Sequence, residues 1–328
     1  MKEEAAARRI QELAMGVWAF QCLYAVTKLG VPDRLTEGPK SADQLAWEVG
    51  AHAPSLHRVM RYLGGLEIFE ISGEKFGLNQ VSRRLLDTPG SQRDYVIMFG
   101  EEFYQAWGKI LHSVRTGEDA FTHAFGKGLF EYLSKNPQYA QTFDRAMAAG
   151  SAFFKVIPDL YDFSWCRTVV DVGGGNGALL TAILTRNPGL SGILFDSPLV
   201  TAAATATLEA QGLAERCRVV AGDFFEAVPE GADLYLFSRV LHDWDDGQCL
   251  TILKNCRRAI AESGRILIIE RLIPGSYALA SDVNMLAVTT GRERSEAEFA
   301  ELLTSSGFEL TKVIPLPLET NIVEAVAK

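Results

Sequence analysis

Val169–Val170–Asp171–Val172–Gly173–Gly174–Gly175–Asn176–Gly177 is a β-branched stretch that ends in an acid and closely spaced glycines. Ala178 to Leu184 follows with an apolar helical pattern. The whole reads as strand, tight turn, helix. Glycine is needed where the backbone turns with φ > 0, and where a ligand lies against main chain with no Cβ between them. At the carboxyl end of the first parallel strand of a doubly wound sheet, such a turn cradles a nucleotide or nucleoside cofactor.

Two loop patterns overlap in this run. Gly173-x-Gly175-x-x-Ala178 fits a dinucleotide fingerprint, and Asp171-x-Gly173-x-Gly175-x-Gly177 fits the glycine loop of S-adenosylmethionine (SAM) enzymes. The next two acids favour the second. Asp196 closes a strand, Gly192 to Asp196, where a carboxylate can accept from ribose hydroxyls. Asp223 follows the strand Arg218 to Gly222 and precedes Phe224 and Phe225, an acid for a base amino group beside a stacking face. A pyrophosphate wants positive charge or a run of free N–H groups, and the loop has no Lys or Arg. An NAD enzyme is the weaker alternative.

Working outward, strands are expected near 168–172, 191–196, 217–221, 233–237, 265–270, 308–313 and 321–326, with helical segments separating the first six. The last two are joined tightly through Pro315 and Pro317, so the last strand should be antiparallel. The fold class is α/β: a Rossmann-like doubly wound seven-stranded sheet, with ligands at the carboxyl ends of the strands.

Residues 1 to about 160 read as mainly helical. The charged start Met1–Lys2–Glu3–Glu4–Ala5 opens an amphipathic helix and lacks the apolar core of a signal peptide. Ile10 to Leu29 is too apolar for one whole side to be solvated. Ser41–Ala42–Asp43–Gln44 carries helix-capping chemistry, Gly50 breaks that helix, Pro54–Ser55 starts the next, and Ile68 to Phe76 suggests a hairpin around Gly73. That order is a winged-helix pattern, which raises a DNA-binding regulator as a second class. Arg58 and Arg61 on one helix of a chain with net charge −9 are a thin basis for groove binding, and the charge argues against nucleic acid. Five cysteines at 22, 166, 217, 249 and 256 show no metal spacing and imply a reducing cytoplasm. No apolar run reaches membrane-spanning length. The aromatic-dense stretch from Phe99 to Phe154 is expected to be mostly core, with a minority lining a pocket for a flat substrate.

Of the five histidines, His242 alone lies just past a sheet strand on the cofactor side, in Leu241–His242–Asp243–Trp244–Asp245–Asp246. A phenol titrates at about 10 and an imidazole at about 6.5, so at neutral pH the phenol is mostly protonated and a neutral imidazole can take its proton as a methyl group transfers. Carboxylates behind it would fix its tautomer. Glu270 ends a strand and Glu293 precedes a helix, both at the right level, and Asp243 adjoins the imidazole. Glu293 also reads as a surface ion pair with Arg292 or Arg294. The clustered acids Asp243, Asp245 and Asp246 suggest magnesium only weakly, because neighbours on one turn rarely converge, and no metal is expected.

From Thr168 onward the chain resembles the small-molecule O-methyltransferases, the group of plant caffeic-acid-type and bacterial antibiotic-tailoring enzymes. The matching runs are DVGGGNG (171–177), FDSP (195–198), GDFF (222–225), SRVLHDWDD (238–246), IIERLIP (268–274), DVNML (282–286) and GRERSEAEF (291–299). GEEFYQAW (100–107) and HAFGKGLFEYLSKNP (123–137) resemble phenazine and related pigment methyltransferases. The resemblance implies a winged-helix dimerisation domain over 1–95, a helical region contributing to the substrate pocket over 96–160, and a SAM-binding domain over 161–328. It implies a cytoplasmic homodimer whose first helix packs on the partner, and which engages neither nucleic acid nor membrane. The implied reaction is methyl transfer from SAM to a phenolic hydroxyl of an aromatic, polycyclic acceptor of phenazine or polyketide type. N-methylation of an aromatic heterocycle is the alternative. The implied cofactor contacts are Ser151, Gly173, Gly175, Asp196, Ser197, Asp223, Phe224, Ser238 and Arg239, with Ser238 standing where plant members often have lysine. The implied acceptor contacts are Trp107, Met147, Asn284 and Met285. His242 is the base, with Glu270, Glu293 and Asp243 around it.

Overall fold

The structure is a computed structural model that describes residues 3–328; Met1 and Lys2, with which the amphipathic helix was expected to open, lie outside the described residues. The chain forms two compact units, residues 1–104 with 138–149, and residues 105–137 with 150–328. The stretch 96–160 is therefore divided between the two.

In the first unit the opening helix runs over Glu3–Lys28, longer than its apolar part. Its last turns are buried at Val26, whereas Ile10, Leu13, Val17 and Trp18 are exposed on the chain taken alone. Helix Ala42–Val49 begins with a capping box: Ser41 Oγ accepts the Gln44 N–H and Gln44 Oε1 accepts the Ser41 N–H. Gly50, left-handed at φ 68°, ends it. Helix Ala53–Gly65 and the hairpin of strands β2 (Phe69–Ser72) and β3 (Lys75–Leu78) follow, and the short β1 (Lys40–Ser41) joins them in the order β1-β3-β2. Leu45, Met60, Leu63, Phe69 and Phe76 fill the centre. The winged-helix pattern is thus present, with one short strand that the sequence did not signal.

The second unit holds β4 (Thr168–Val172), β5 (Ser191–Asp196), β6 (Cys217–Ala221), β7 (Leu234–Ser238), β8 (Arg265–Ile273), β9 (Arg294–Ser295), β10 (Phe308–Pro315) and β11 (Thr320–Ala327). The main path is β10-β11-β8-β7-β4-β5-β6, and β9 pairs with the end of β8. β4 to β8 run parallel, and β11 is antiparallel to both neighbours. Helices cover both faces. Leu180, Ile183 and Leu184 of helix Ala178–Arg186, with Leu208 of Pro198–Ala210, pack on one side. Cys249, Ile252 and Leu253 of helix Asp246–Ala259, with Phe299 and Leu303 of Glu296–Ser305, pack on the other. The expectation of a helix between every pair of the first six strands fails once. Residues 222–233 between β6 and β7 are turn and loop, which Asp223 steers by accepting the Phe225 N–H at 2.8 Å. Twelve residues holding an Asx turn, Pro229 and Gly231 leave no room for a helix that also returns to the sheet.

Candidate active site

The glycine loop is wound so that its own amides are spent internally. Gly173, Gly175 and Gly177 have φ of 69°, 57° and 80°. The Gly173 N–H donates to Phe195 O at 2.8 Å, Gly175 N–H to Asp196 Oδ2 at 2.8 Å, and Gly177 N–H to Gly174 O at 3.0 Å. The first amide of the following helix, Ala178, is taken by Asn176 Oδ1. A pyrophosphate would find few free donors here, which supports the SAM reading over NAD. Beyond Gly175 the space is open, whereas a Cβ on Gly173 would lie 2.8 Å from Val240 Cγ2. The loop therefore rests directly on the segment that leads to His242.

Asp196 sits half-buried at the end of β5, and burial pushes its pKa up against the pull of the Gly175 and Ser197 amides. Ser197 stands at the N-cap position of helix Pro198–Ala210, without a side-chain capping bond. Asp223 is exposed after β6, with Phe224 half-buried behind it, 5.9 Å from the Trp244 ring. At the end of β7 the Ser238 Oγ is buried without a hydrogen-bond partner. Arg239 takes a left-handed backbone at φ 56°, rare for a side-chain-bearing residue, and its Nη2 donates to Ser151 Oγ at 3.0 Å. These residues stand at the carboxyl ends of β7, β4, β5 and β6, which are neighbours in the sheet. An acceptor carboxylate, an orphaned hydroxyl and a cation fit a ligand with ribose hydroxyls and an amino-acid end.

His242 is buried in a short 3₁₀ turn, Leu241–Asp243, just after β7. Its Nδ1 lies 2.9 Å from Glu293 Oε1 and 3.4 Å from Glu270 Oε2, and its Nε2 lies 3.7 Å from Asp243 Oδ1. Glu270 is anchored by accepting the Val240 N–H at 3.0 Å, and the Glu293 amide donates to Asp282 Oδ1 at 2.9 Å. One proton on Nδ1 serves Glu293 and leaves Nε2 as the ring's acceptor when neutral. Burial alone would lower the imidazole's pKa, but the charges of Glu270, Asp243 and Glu293 outweigh it and hold it at about 10. Burial raises Asp243 to about 6 and lifts Glu270 as well, while the hydrogen bond and charge of His242 bring Glu293 below its usual value. An imidazole titrating near its ordinary value is therefore the sequence expectation that the structure corrects.

His242, Glu270 and Glu293 also offer ligating atoms within 4.8 Å of one another, and the raised imidazole pKa means that a proton competes for that position. Asp245 and Asp246 do not join this cluster. Asp245 caps helix Asp246–Ala259, and Asp246 pairs with Arg292 and Arg294. The surface ion pair considered for Glu293 is absent: its side chain is buried on His242, and Arg292 bonds Glu298 and Asp246 instead.

On helix Ser276–Val288, Asn284 Oδ1 accepts the Trp107 Nε1–H at 3.1 Å, which unites two of the residues expected to touch the acceptor. Met285 is buried beside them in sequence, with Thr289 Oγ1 at 3.7 Å from its sulfur. Met147 lies half-buried on helix Pro137–Ala149, in the first unit. Among the aromatics, Phe103, Phe121, Phe153 and Phe154 are core, whereas Tyr104 and Phe130 are exposed. Sequence reasoning missed Asp246, Asp282, Gly291 and Arg294 around His242. Within GRER only Glu293 is expected at the site from sequence; Arg294 reads there as its surface ion-pair partner.

Residues 107–309 match the O-methyltransferase domain of a known family, and residues 11–88 match the O-methyltransferase dimerisation domain. The chain is 41% identical over 321 residues to the phenazine O-methyltransferase PhzM of Lysobacter antibioticus, covering 96% of this chain and 94% of that protein. It is 36% identical over 326 residues to the phenazine-1-carboxylate N-methyltransferase of Pseudomonas aeruginosa, covering 98% and 97%. Among solved structures, an O-methyltransferase from neocarzinostatin biosynthesis, in complex with SAM and 2-hydroxy-5-methyl naphthoic acid, superposes with a TM-score of 0.86 at 33% identity, covering 94% and 96%. With both domains matched and a cofactor loop that suits SAM, the chain belongs to the O-methyltransferase family of SAM-dependent enzymes that act on secondary metabolites.

Proposed function

We propose that this enzyme transfers the methyl group of SAM to a phenolic hydroxyl of a polycyclic aromatic metabolite of phenazine or polyketide type, with His242 as general base. The observation that carries the reading is the pinned imidazole: Nδ1 is committed to Glu293 at 2.9 Å, so Nε2 is the nitrogen left to accept a phenol's proton. SAM supplies an electrophilic methyl on a sulfonium, whose charge is lost on transfer. Asp196 is suited to the ribose hydroxyls, Asp223 and Phe224 to the adenine, and Ser151, Ser238 and Arg239 to the amino-acid end, with Gly173, Gly175 and Ser197 shaping the floor. Trp107, Asn284 and Met285 are assigned to the acceptor. Glu293 and Glu270 orient the imidazole and stabilise its protonated form, with Asp243 at its other nitrogen. The apolar residues exposed on the first helix, within the dimerisation-domain match, support a homodimer. Buried free thiols fit a reducing cytoplasm.

The N-methyltransferase relative from P. aeruginosa keeps a second reading open, transfer to a ring nitrogen, which needs no base when the nitrogen carries a lone pair. Turnover against simple phenols, hydroxyphenazines and aromatic N-heterocycles, read by product mass, separates the two. O-methylated products that disappear in His242→Gln support the first reading, and methylated heterocycles formed equally well by His242→Gln support the second.

A further inference from the structure

Arg294 is 1% exposed, among the largest fully buried side chains of the described residues. A charged side chain is almost never buried so far unless every donor is met. Here each is. Nε donates to Asp246 Oδ1 at 2.9 Å, Nη2 to the same oxygen at 2.8 Å and to Trp244 O at 2.9 Å, and Nη1 to Leu241 O at 3.0 Å and Arg292 O at 3.3 Å. Those bonds use all five guanidinium N–H groups. Two of the acceptors, Leu241 O and Trp244 O, bracket the turn that presents His242.

The same short segment touches the turn twice more. Glu293, one residue before, takes the imidazole Nδ1. Gly291 lies against the turn's main chain, where a Cβ would fall 2.0 Å from His242 O and 2.4 Å from both Asp243 C and Trp244 N. The segment is registered on β8, the strand that supplies Glu270, through the pairs Leu272–Arg294 and Ile273–Ser295.

We infer that Gly291, Arg294 and Asp246 form a clasp that positions His242, with Arg294 acting on the main chain of its turn while Glu293 acts on its ring. The inference rests on the reading of His242 as the base. Arginine is required because only its planar fork reaches two carbonyls and a carboxylate at once; lysine offers a compact point charge on a flexible stem. Displacement of a reacting group by about 1 Å costs on the order of 10²-fold in rate, so a loosened turn is read in kcat before it is read in binding.

The test compares Arg294→Lys, Asp246→Asn, His242→Gln and the double variant His242→Gln/Asp246→Asn. Arg265→Lys serves as a control, because it alters an ion pair with Glu324 at the opposite end of β8 from the His242 turn. Measured are kcat, acceptor KM, SAM affinity by calorimetry, thermal midpoint and the rate–pH profile. Arg294→Lys should lose on the order of 10²-fold in kcat and Asp246→Asn about tenfold, with KM and SAM affinity within about twofold. In both, the rising limb of the pH profile should move to lower pH, because a turn that swings away from Glu293 and Glu270 loses the charges that raise the imidazole. Asp246→Asn should cost nothing further in the His242→Gln background, as expected for residues that act through one another. Arg265→Lys should match the wild type.

If Arg294→Lys fails to fold, Asp246→Asn decides alone, since the Asp246 side chain is half-exposed. Folded variants with kcat within twofold of wild type overturn the clasp, as does a loss of SAM affinity in step with kcat. His242→Gln turning over phenols at the wild-type rate overturns the base reading and the clasp together. An impaired His242→Gln beside unimpaired Arg294→Lys and Asp246→Asn overturns the clasp alone.

Discussion

As the proposed base, His242 would first have to give up the proton that its surroundings favour. Three acids surround it, and they keep the imidazole protonated to about pH 10 in the free protein. kcat/KM, which reports the free enzyme, should therefore climb with pH well beyond the ordinary imidazole value of 6.5. Glu270→Gln removes one of the charges that hold the proton and should shift that limb to lower pH; a rate–pH profile that stays in place would exclude the charge of Glu270 as a cause. His242→Gln should reduce phenol methylation by about 10²–10⁴-fold, the usual worth of a placed base, with SAM affinity kept. The same proton makes a statement about stability. A group whose folded pKa is raised stabilises the fold fully below its unfolded value, here 6.5, and that contribution is lost as pH rises through about 10. The stability gap between wild type and His242→Gln, measured by urea unfolding, should shrink over that window. At Asp196 the forecast is simpler. Asp196→Ala should weaken SAM binding by about 1.5–3 kcal/mol, the value of hydrogen bonds to a charged acceptor, and calorimetry reads this directly.

At the level of elements, the parts that repeat a local rule were legible. The glycine loop, the capping box at Ser41 and the alternation of strand and helix each follow from residues close in sequence, and each is found where expected save for the one missing helix between β6 and β7. What was not legible depends on distant partners. Nothing in the sequence around Arg294 says that its charge faces the carbonyls of Leu241 and Trp244, about fifty residues away. The β6–β7 connection failed for another reason, because Asp223 turns the chain back before a helix can start. The bond from Trp107 to Asn284 crosses 177 residues and joins two positions that sequence alone had left apart. Trp107→Phe keeps the ring and leaves Asn284 Oδ1 without its donor, a loss of about 0.5–1.5 kcal/mol. Acceptor KM should rise several-fold in steady-state assays while SAM affinity holds; equal losses in both would show that the pair supports the fold and not the acceptor.

For the whole molecule, the proposed homodimer is the first thing to measure. Ile10 and Trp18 are 71% and 62% exposed on the chain alone, a large cost in water unless a second copy covers them. Light scattering should give twice the chain mass at micromolar concentration, and a Trp18→Glu variant should dissociate. A monomeric wild type would remove the dimer from the proposal. The sheet carries one further consequence, for synthesis. β11 is seated between β8 and β10, and its Ile322 and Val323 are fully buried. While a ribosome is still extending the chain, β8 already exposes an unpaired edge next to Glu270, and β10 cannot occupy that edge without blocking β11. Translation must therefore pass β11 before the Glu270 side of the sheet can close. A chain that stopped short of β11 would not be a slightly trimmed enzyme: it would leave an open, apolar strand edge of the kind that chaperones hold and proteases clear.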